Sequence, residues 1–144
     1  MNTCLHTADF FGWANQQAAL LRAGRIAEID REHLAEEIED MGKSQHRELI
    51  NRLTVLFLHL LKWQYQPGYQ SNSWRYTIEE QREQIADHLQ DNPSLKQKLP
   101  ESIERAYKYA RTGAARETGL PKSTFPEICP WSLEQAFDDE FWPA

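Results

Sequence analysis

The chain is poor in the residues from which disulfide scaffolds, metal fingers and nucleotide loops are built. Only two cysteines occur among 144 residues, Cys4 and Cys129. They form no CxxC pair and match no zinc-ligand spacing, so reduced thiols in a reducing compartment are expected. The six glycines are scattered and make neither a GxGxxG turn nor a P-loop, which removes the usual phosphate cradles. HExxH, the ExxH pair of di-iron bundles and GxSxG are all missing, and the five histidines stand apart. Positive charge is scarce: 16 Lys and Arg against 22 Asp and Glu leave a net charge of −6. A general nucleic-acid or anionic-membrane binder needs the opposite balance, because its affinity comes from counterions released by Lys and Arg. The longest apolar stretch, Leu53 to Leu61, carries Thr54 and His59 and is about half the length of a membrane span. The N-terminus has no basic, apolar and small-residue leader pattern, so a cytoplasmic protein is expected.

What is present suffices for a core. Apolar residues make up 40% of the chain, with five Trp, five Tyr and six Phe, and a chain of this size removes about two-thirds of its unfolded surface from water. One domain over residues 1–144 is expected. Phe10, Trp13, Gln17 and Leu21 recur at helical spacing, with Thr7 as a cap and Gly24 past the end. Asp30 caps a second helix through Leu34, Ile38 and Met41, which Gly42 ends or kinks. Ser44 opens a third helix to about Tyr65. Its apolar residues occupy nearly every angle around the axis, so it belongs in the middle of the molecule. Trp74, Ile78, Gln81, Ile85 and Leu89 mark a fourth helix. Leu95, Leu99, Ile103, Ala106, Tyr107, Ala110 and Ala114 mark a fifth, kinked or divided at Pro100. Pro121, Pro126 and Pro130 interrupt the chain beyond Gly119, so residues 120–131 are expected to be extended and docked by Leu120, Phe125, Ile128 and Trp131. Ser132 and Gln135 match a capping box for a short last helix. The fold class is therefore all-α: a compact bundle of about five helices around a central buried helix (about 44–65), with a Pro-rich extended segment and a short C-terminal helix.

Three groups of residues carry possible chemistry. His59, inside an apolar run, needs a hydrogen-bond partner; it is read as a core histidine donating to a carbonyl or carboxylate, with a ligand or general base as the sharper alternative. Glu37 and Asp40 lie on one edge of the second helix's apolar stripe. They are read as salt-bridge partners of Arg75, Arg82, Arg47, Arg52 or Lys62, and alternatively as a divalent-ion or proton-transfer pair. Together Glu37, Asp40, His59 and Arg75 form the candidate polar cluster. Lys62, Trp63, Trp74 and Arg75 form a candidate aromatic and cationic surface, able to hold a planar ligand or simply to close the end of a core. Cys129 is read as a small buried thiol and Cys4 as a frayed one. Acidic residues crowd positions 30 to 40 and basic ones positions 96 to 116, which suits attraction within the fold, between copies, or to an acidic partner.

Several strings in order, among them Leu34-Ala35-Glu36-Glu37-Ile38-Glu39-Asp40-Met41-Gly42, His59-Leu60-Leu61-Lys62-Trp63-Gln64-Tyr65-Gln66-Pro67, Ser73-Trp74-Arg75 and Phe141-Trp142-Pro143, resemble the domain-of-unknown-function 29 family. The resemblance covers nearly the whole chain and implies a bacterial, α-helical protein with no established activity or cofactor. His33 stands where similar proteins often have Asn, which weakens a metal site built upon His33 and Glu37. The functional expectation is a small cytoplasmic helical binding or regulatory module acting through protein contacts, self-associating or with an unidentified protein partner, without cofactor, metal, nucleic acid or membrane. The alternative is an enzyme or a small-ligand or metal-binding protein with a polar site between the second, third and fourth helices.

Overall fold

A computed structural model describes residues 4–144. Among these residues lie six α-helices, several short 3-10 segments and no strand: α1 (Leu5–Ala8), α2 (Phe10–Arg22), α3 (Arg31–Tyr65), α4 (Asn72–Asp91), α5 (Leu99–Thr118) and α6 (Leu133–Phe137). The all-helical class read from the sequence is the observed one. The chain divides into two compact units, one ending at Lys43 and the other running from Ser44 to Ala144.

In the first unit, Asp9 leaves helical geometry and its carboxylate accepts the Gly12 N–H at 3.0 Å, capping α2. Thr7, the expected cap, lies instead inside α1; the anionic oxygen of Asp9 is the stronger partner for the positive end of a helix. Trp13 and Gln17 are the buried side chains of α2. Gly24 takes φ 72°, a left-handed turn beyond the end of the helix that suits glycine. Asp30 caps α3 as expected, accepting the His33 N–H at 3.4 Å.

The expected break at Gly42 is absent, and α3 runs unbroken through it and through Ser44. A glycine inside a helix costs only about 1 kcal/mol relative to alanine, and the neighbouring Glu39, Met41, Lys43 and Gln45 are strong helix formers. The expected second and third helices are thus one element.

In the second unit, Leu49, Leu53, Leu56, Phe57, Leu60 and Leu61 of α3 have no exposure to solvent. Thr54, Val55 and His59 form a half-buried flank of the same helix. Around it pack Ile78, Ile85 and Leu89 of α4 and Leu99, Ala106, Tyr107, Ala110 and Ala114 of α5. Small residues let α5 approach closely: a β-carbon on Gly113 would meet Leu58 Cδ1 at 2.5 Å. Pro100 sits in the first turn of α5, where its missing N–H is not needed, and the preceding Pro93–Lys98 segment is a separate 3-10 piece. Gly119, at φ 75°, closes α5.

Beyond it the chain makes one 3-10 turn, Lys122–Thr124, and then runs irregularly. Phe125 and Trp131 are buried, but Ile128, expected to dock, is 82% exposed. The chain bends at Glu127 and Ile128, leaving Ile128 and Pro130 outward while Cys129 and Trp131 turn inward. The Tyr107 hydroxyl donates to the Pro126 carbonyl at 2.6 Å and Arg111 Nε to the Phe125 carbonyl at 3.1 Å. Ser132 and Gln135 form the complete capping box of α6. Arg82, buried on α4, donates to the Ala136 and Phe141 carbonyls, each at 2.8 Å, and lies over the Trp142 ring. Trp142 in turn packs on Trp63.

Candidate functional site

The residues singled out from the sequence fall in both units. In the first, Glu37 Oε1 lies 2.5 Å from His6 Nε2, and Asp40 is exposed. Four of the five expected cationic partners of Glu37 and Asp40, namely Arg52, Arg75, Lys62 and Arg82, are engaged elsewhere. Arg52 pairs with Glu48 at 2.9 Å and with Gln84, Arg75 pairs with Glu79 at 3.4 Å, and Lys62 pairs with Glu117 at 2.9 Å. Glu48 and Glu79 each stand one helical turn from their arginine, where a pair forms without ordering a second element.

In the second unit, His59 Nδ1 donates to the Val55 carbonyl of its own helix at 2.8 Å. The sequence led to the expectation of a partner from another helix; the acceptor is instead a carbonyl one turn back on the same helix, and His59 stands on its half-buried flank. Desolvation lowers its pKa below the ordinary imidazole value, outweighing the carbonyl bond that favours the charged form. Lys62 lies over the Trp74 ring at 4.7 Å, and both line a cleft of about 430 Å³ with Tyr69 and Glu117. Trp63 packs against Trp142, and Arg75 is exposed beside Glu79. The proposed surface is thus divided: Lys62 and Trp74 share a cleft, while Trp63 closes the core.

The first unit holds an arrangement that the sequence reading passed over. Cys4, His6 and His33 each offer a ligand-type atom within 4.8 Å of the other two. His6 stacks on His33, with ring centroids 4.3 Å apart, and meets the Trp13 ring edgewise at 4.6 Å. His33 Nδ1 lies 2.7 Å from Asp30 Oδ2, the oxygen that also accepts the Trp13 indole N–H at 3.0 Å. Gln17 Oε1 accepts the Asp30 N–H at 2.6 Å. Desolvation pushes the Asp30 carboxyl up, but the hydrogen bonds from His33, Trp13 and the backbone outweigh it and hold it below its ordinary value. The bond to Asp30 raises the His33 pKa. Two sequence signals foreshadow this cluster: Cys4 and His6 two residues apart, and Asp30, His33 and Glu37 at i, i+3 and i+7 on one helical face.

A second site lies in the second unit, between α5 and the Pro-rich segment. It is a cleft of about 690 Å³ whose apolar wall includes Ile103, Tyr107, Cys129 and Trp131. Lys108, Arg111 and Lys122 surround it, with Glu104 and Glu127 also at the lining. Burial pushes the Cys129 thiol and the Tyr107 phenol above their ordinary values, so both are neutral at physiological pH. None of the three cations pairs with a carboxylate among the described residues. Other polar groups that the sequence did not single out are structural. His88 Nε2 bonds the Gln45 carbonyl at 2.8 Å, and His46 Nε2 bonds the Ser102 hydroxyl at 2.9 Å.

A family model described as "Domain of unknown function DUF29" matches residues 5–142, and the chain belongs to that family. No curated protein and no solved structure matches it.

Proposed function

We propose that this DUF29 member is a helical docking module that receives the apolar anchor of an acidic protein segment in the cleft between α5 and the Pro-rich tail. One observation carries the reading: an apolar-walled cleft of about 690 Å³ is lined by three cations, none in an ion pair among the described residues, against the two carboxylates Glu104 and Glu127. The volume lies within the range of about 300–1,000 Å³ in which pockets bury a compact ligand group. Lys108, Arg111 and Lys122 supply the field that steers a carboxylate-rich segment and selects it over a basic one. Ile103 and Trp131 supply the apolar contact that holds it, and aromatic walls of this kind give the larger share of binding energy. The neutral Cys129 thiol and Tyr107 phenol add no opposing charge to the wall.

Fluorescence anisotropy tests the proposal with labelled peptides in which a Leu-Trp pair is flanked by glutamates, against a lysine-flanked counterpart. The glutamate peptide is expected to bind saturably, with affinity that falls as salt is added. Lys108→Glu and Lys122→Glu together reverse the local charge and abolish binding, while Ile103→Asn abolishes it without altering the charge of the cleft. Equal binding of both peptides, or binding indifferent to these substitutions, overturns the reading.

A further inference from the structure

We infer that Cys4, His6 and His33 form a binding site for a divalent transition-metal ion, zinc in the first place, in the first unit of the fold. The inference is independent of the docking cleft.

The thiol and the two imidazoles are gathered at one place. Cys4 Sγ lies 3.9 Å from His33 Nδ1 and 4.0 Å from His33 Nε2, and the whole ligand set falls within 4.8 Å. Ligands at about 2.0–2.3 Å from a tetrahedral zinc ion stand about 3.5 Å from one another. Closing the set around one ion draws the ligand atoms together and turns the stacked His6 and His33 rings, now inclined by only 18°, until a nitrogen of each faces the ion.

The outer partners argue more strongly than the distances. Metal-binding histidines almost always give their second ring nitrogen to a carboxylate, a backbone carbonyl or water, which fixes the tautomer and raises the basicity of the nitrogen facing the ion. Both histidines here are held in that way: His6 Nε2 by Glu37 at 2.5 Å, and His33 Nδ1 by Asp30 at 2.7 Å. This leaves His6 Nδ1 and His33 Nε2 as the ligand atoms. The Asp30 carboxylate is anchored by the Trp13 indole, and its backbone N–H by Gln17, the two buried side chains of α2. The outer shell is thus tied to the packed part of the unit, while the exposed Cys4 leaves a path from solvent.

The donor set selects the ion. One thiolate and two imidazoles suit zinc, cobalt, nickel and copper, whereas magnesium and calcium require oxygen. Binding deprotonates the Cys4 thiol, whose proton goes to solvent, and takes both imidazoles in their neutral form. Three protein ligands leave the fourth tetrahedral position to water or to an incoming ligand.

Cobalt titration of the full chain, reduced and purified without chelator, tests the assignment. One equivalent of cobalt is expected to give a thiolate-to-cobalt charge-transfer band and the intense visible bands of a four-coordinate ion, and zinc displaces both. Cys4→Ser removes the charge-transfer band, and Cys129→Ser leaves it unchanged. His33→Ala removes a ligand and weakens binding by at least about 100-fold, while Glu37→Gln and Asp30→Asn, which remove no ligand, weaken it by about 10–100-fold. Asparagine still caps a helix, so Asp30→Asn keeps the start of α3, and far-UV circular dichroism confirms that each variant is folded. A cobalt titration without the charge-transfer band, or a band that survives in Cys4→Ser, overturns the assignment.

Discussion

The imidazole rings of His6 and His33 lie face to face, 4.3 Å between centroids and inclined by 18°, although one residue belongs to α1 and the other to α3. Each ring hands a nitrogen to a different carboxylate, Glu37 or Asp30, so the stack is fixed at both edges. α1 is a single turn and too short to persist on its own local hydrogen bonds. Its position is a consequence of this side-chain network.

Replacing His6 by alanine is therefore expected to release α1 without unfolding α2 or α3. Amide exchange at residues 5–8 should rise to that of a free chain, at a cost of about 1–2 kcal/mol for the lost hydrogen bond and ring contacts. Trp13 loses the ring at its edge, so its fluorescence should change in the same variant.

Arg82 ties the C-terminus to α4 through two carbonyls and the Trp142 ring. Arg82→Ala is expected to lower stability in urea by about 3–5 kcal/mol, because two charge-assisted hydrogen bonds are lost and two carbonyls are left short of a donor. Limited proteolysis of this variant should cut first after residue 137.

Gly42 has open space where a β-carbon would stand, in the middle of α3. Gly42→Ala should raise stability by about 0.5–1 kcal/mol, read as a higher melting temperature. Gly113→Leu, in contrast, drives a side chain into Leu58 and should cost about 1–3 kcal/mol.

His59 titrates below its ordinary value of 6.5 because it is desolvated. The unfolded chain then binds the proton more readily than the folded one. Its contribution to stability is present above pH 6.5 and is lost as the pH falls from there through the folded-state pKa. Urea melts at steps between pH 5 and 7.5 should show this slope, reduced in His59→Gln, and a nuclear magnetic resonance titration should place the His59 midpoint below 6.5.

Burial and a raised pKa make Cys129 a poor nucleophile at neutral pH. In a Cys4→Ser protein, where it is the remaining thiol, a disulfide reagent should react slowly in buffer and quickly in denaturant. Occupation of the cleft by the glutamate-flanked peptide should slow the reaction further.

The apolar period of Leu53 to Leu61, the Asp30 cap, the division of the chain near Pro100 and the Ser132–Gln135 box were all legible in the sequence, because each depends on residues within a few positions of one another. The continuity of α3 was not. Gly42 and Ser44 are stop and start signals in isolation, and their local cost is outweighed by the flanking helix formers. The Glu37 and His59 readings fared differently for a similar reason. His59 found its carbonyl one turn away on its own helix, while Glu37 found its partner 31 residues back in the chain.

Sequence alone therefore determined the helical class and the apolar core of the central helix, since hydrophobic periodicity and capping act over one or two turns, but not the burial of Ile38, Met41 or Ile128, which remain exposed. Only tertiary structure decided which polar groups meet: Cys4 beside His33, Arg82 on the Phe141 carbonyl, Tyr107 on Pro126. A side chain's partners depend on where other elements pack, and a position in sequence carries no record of distance in space.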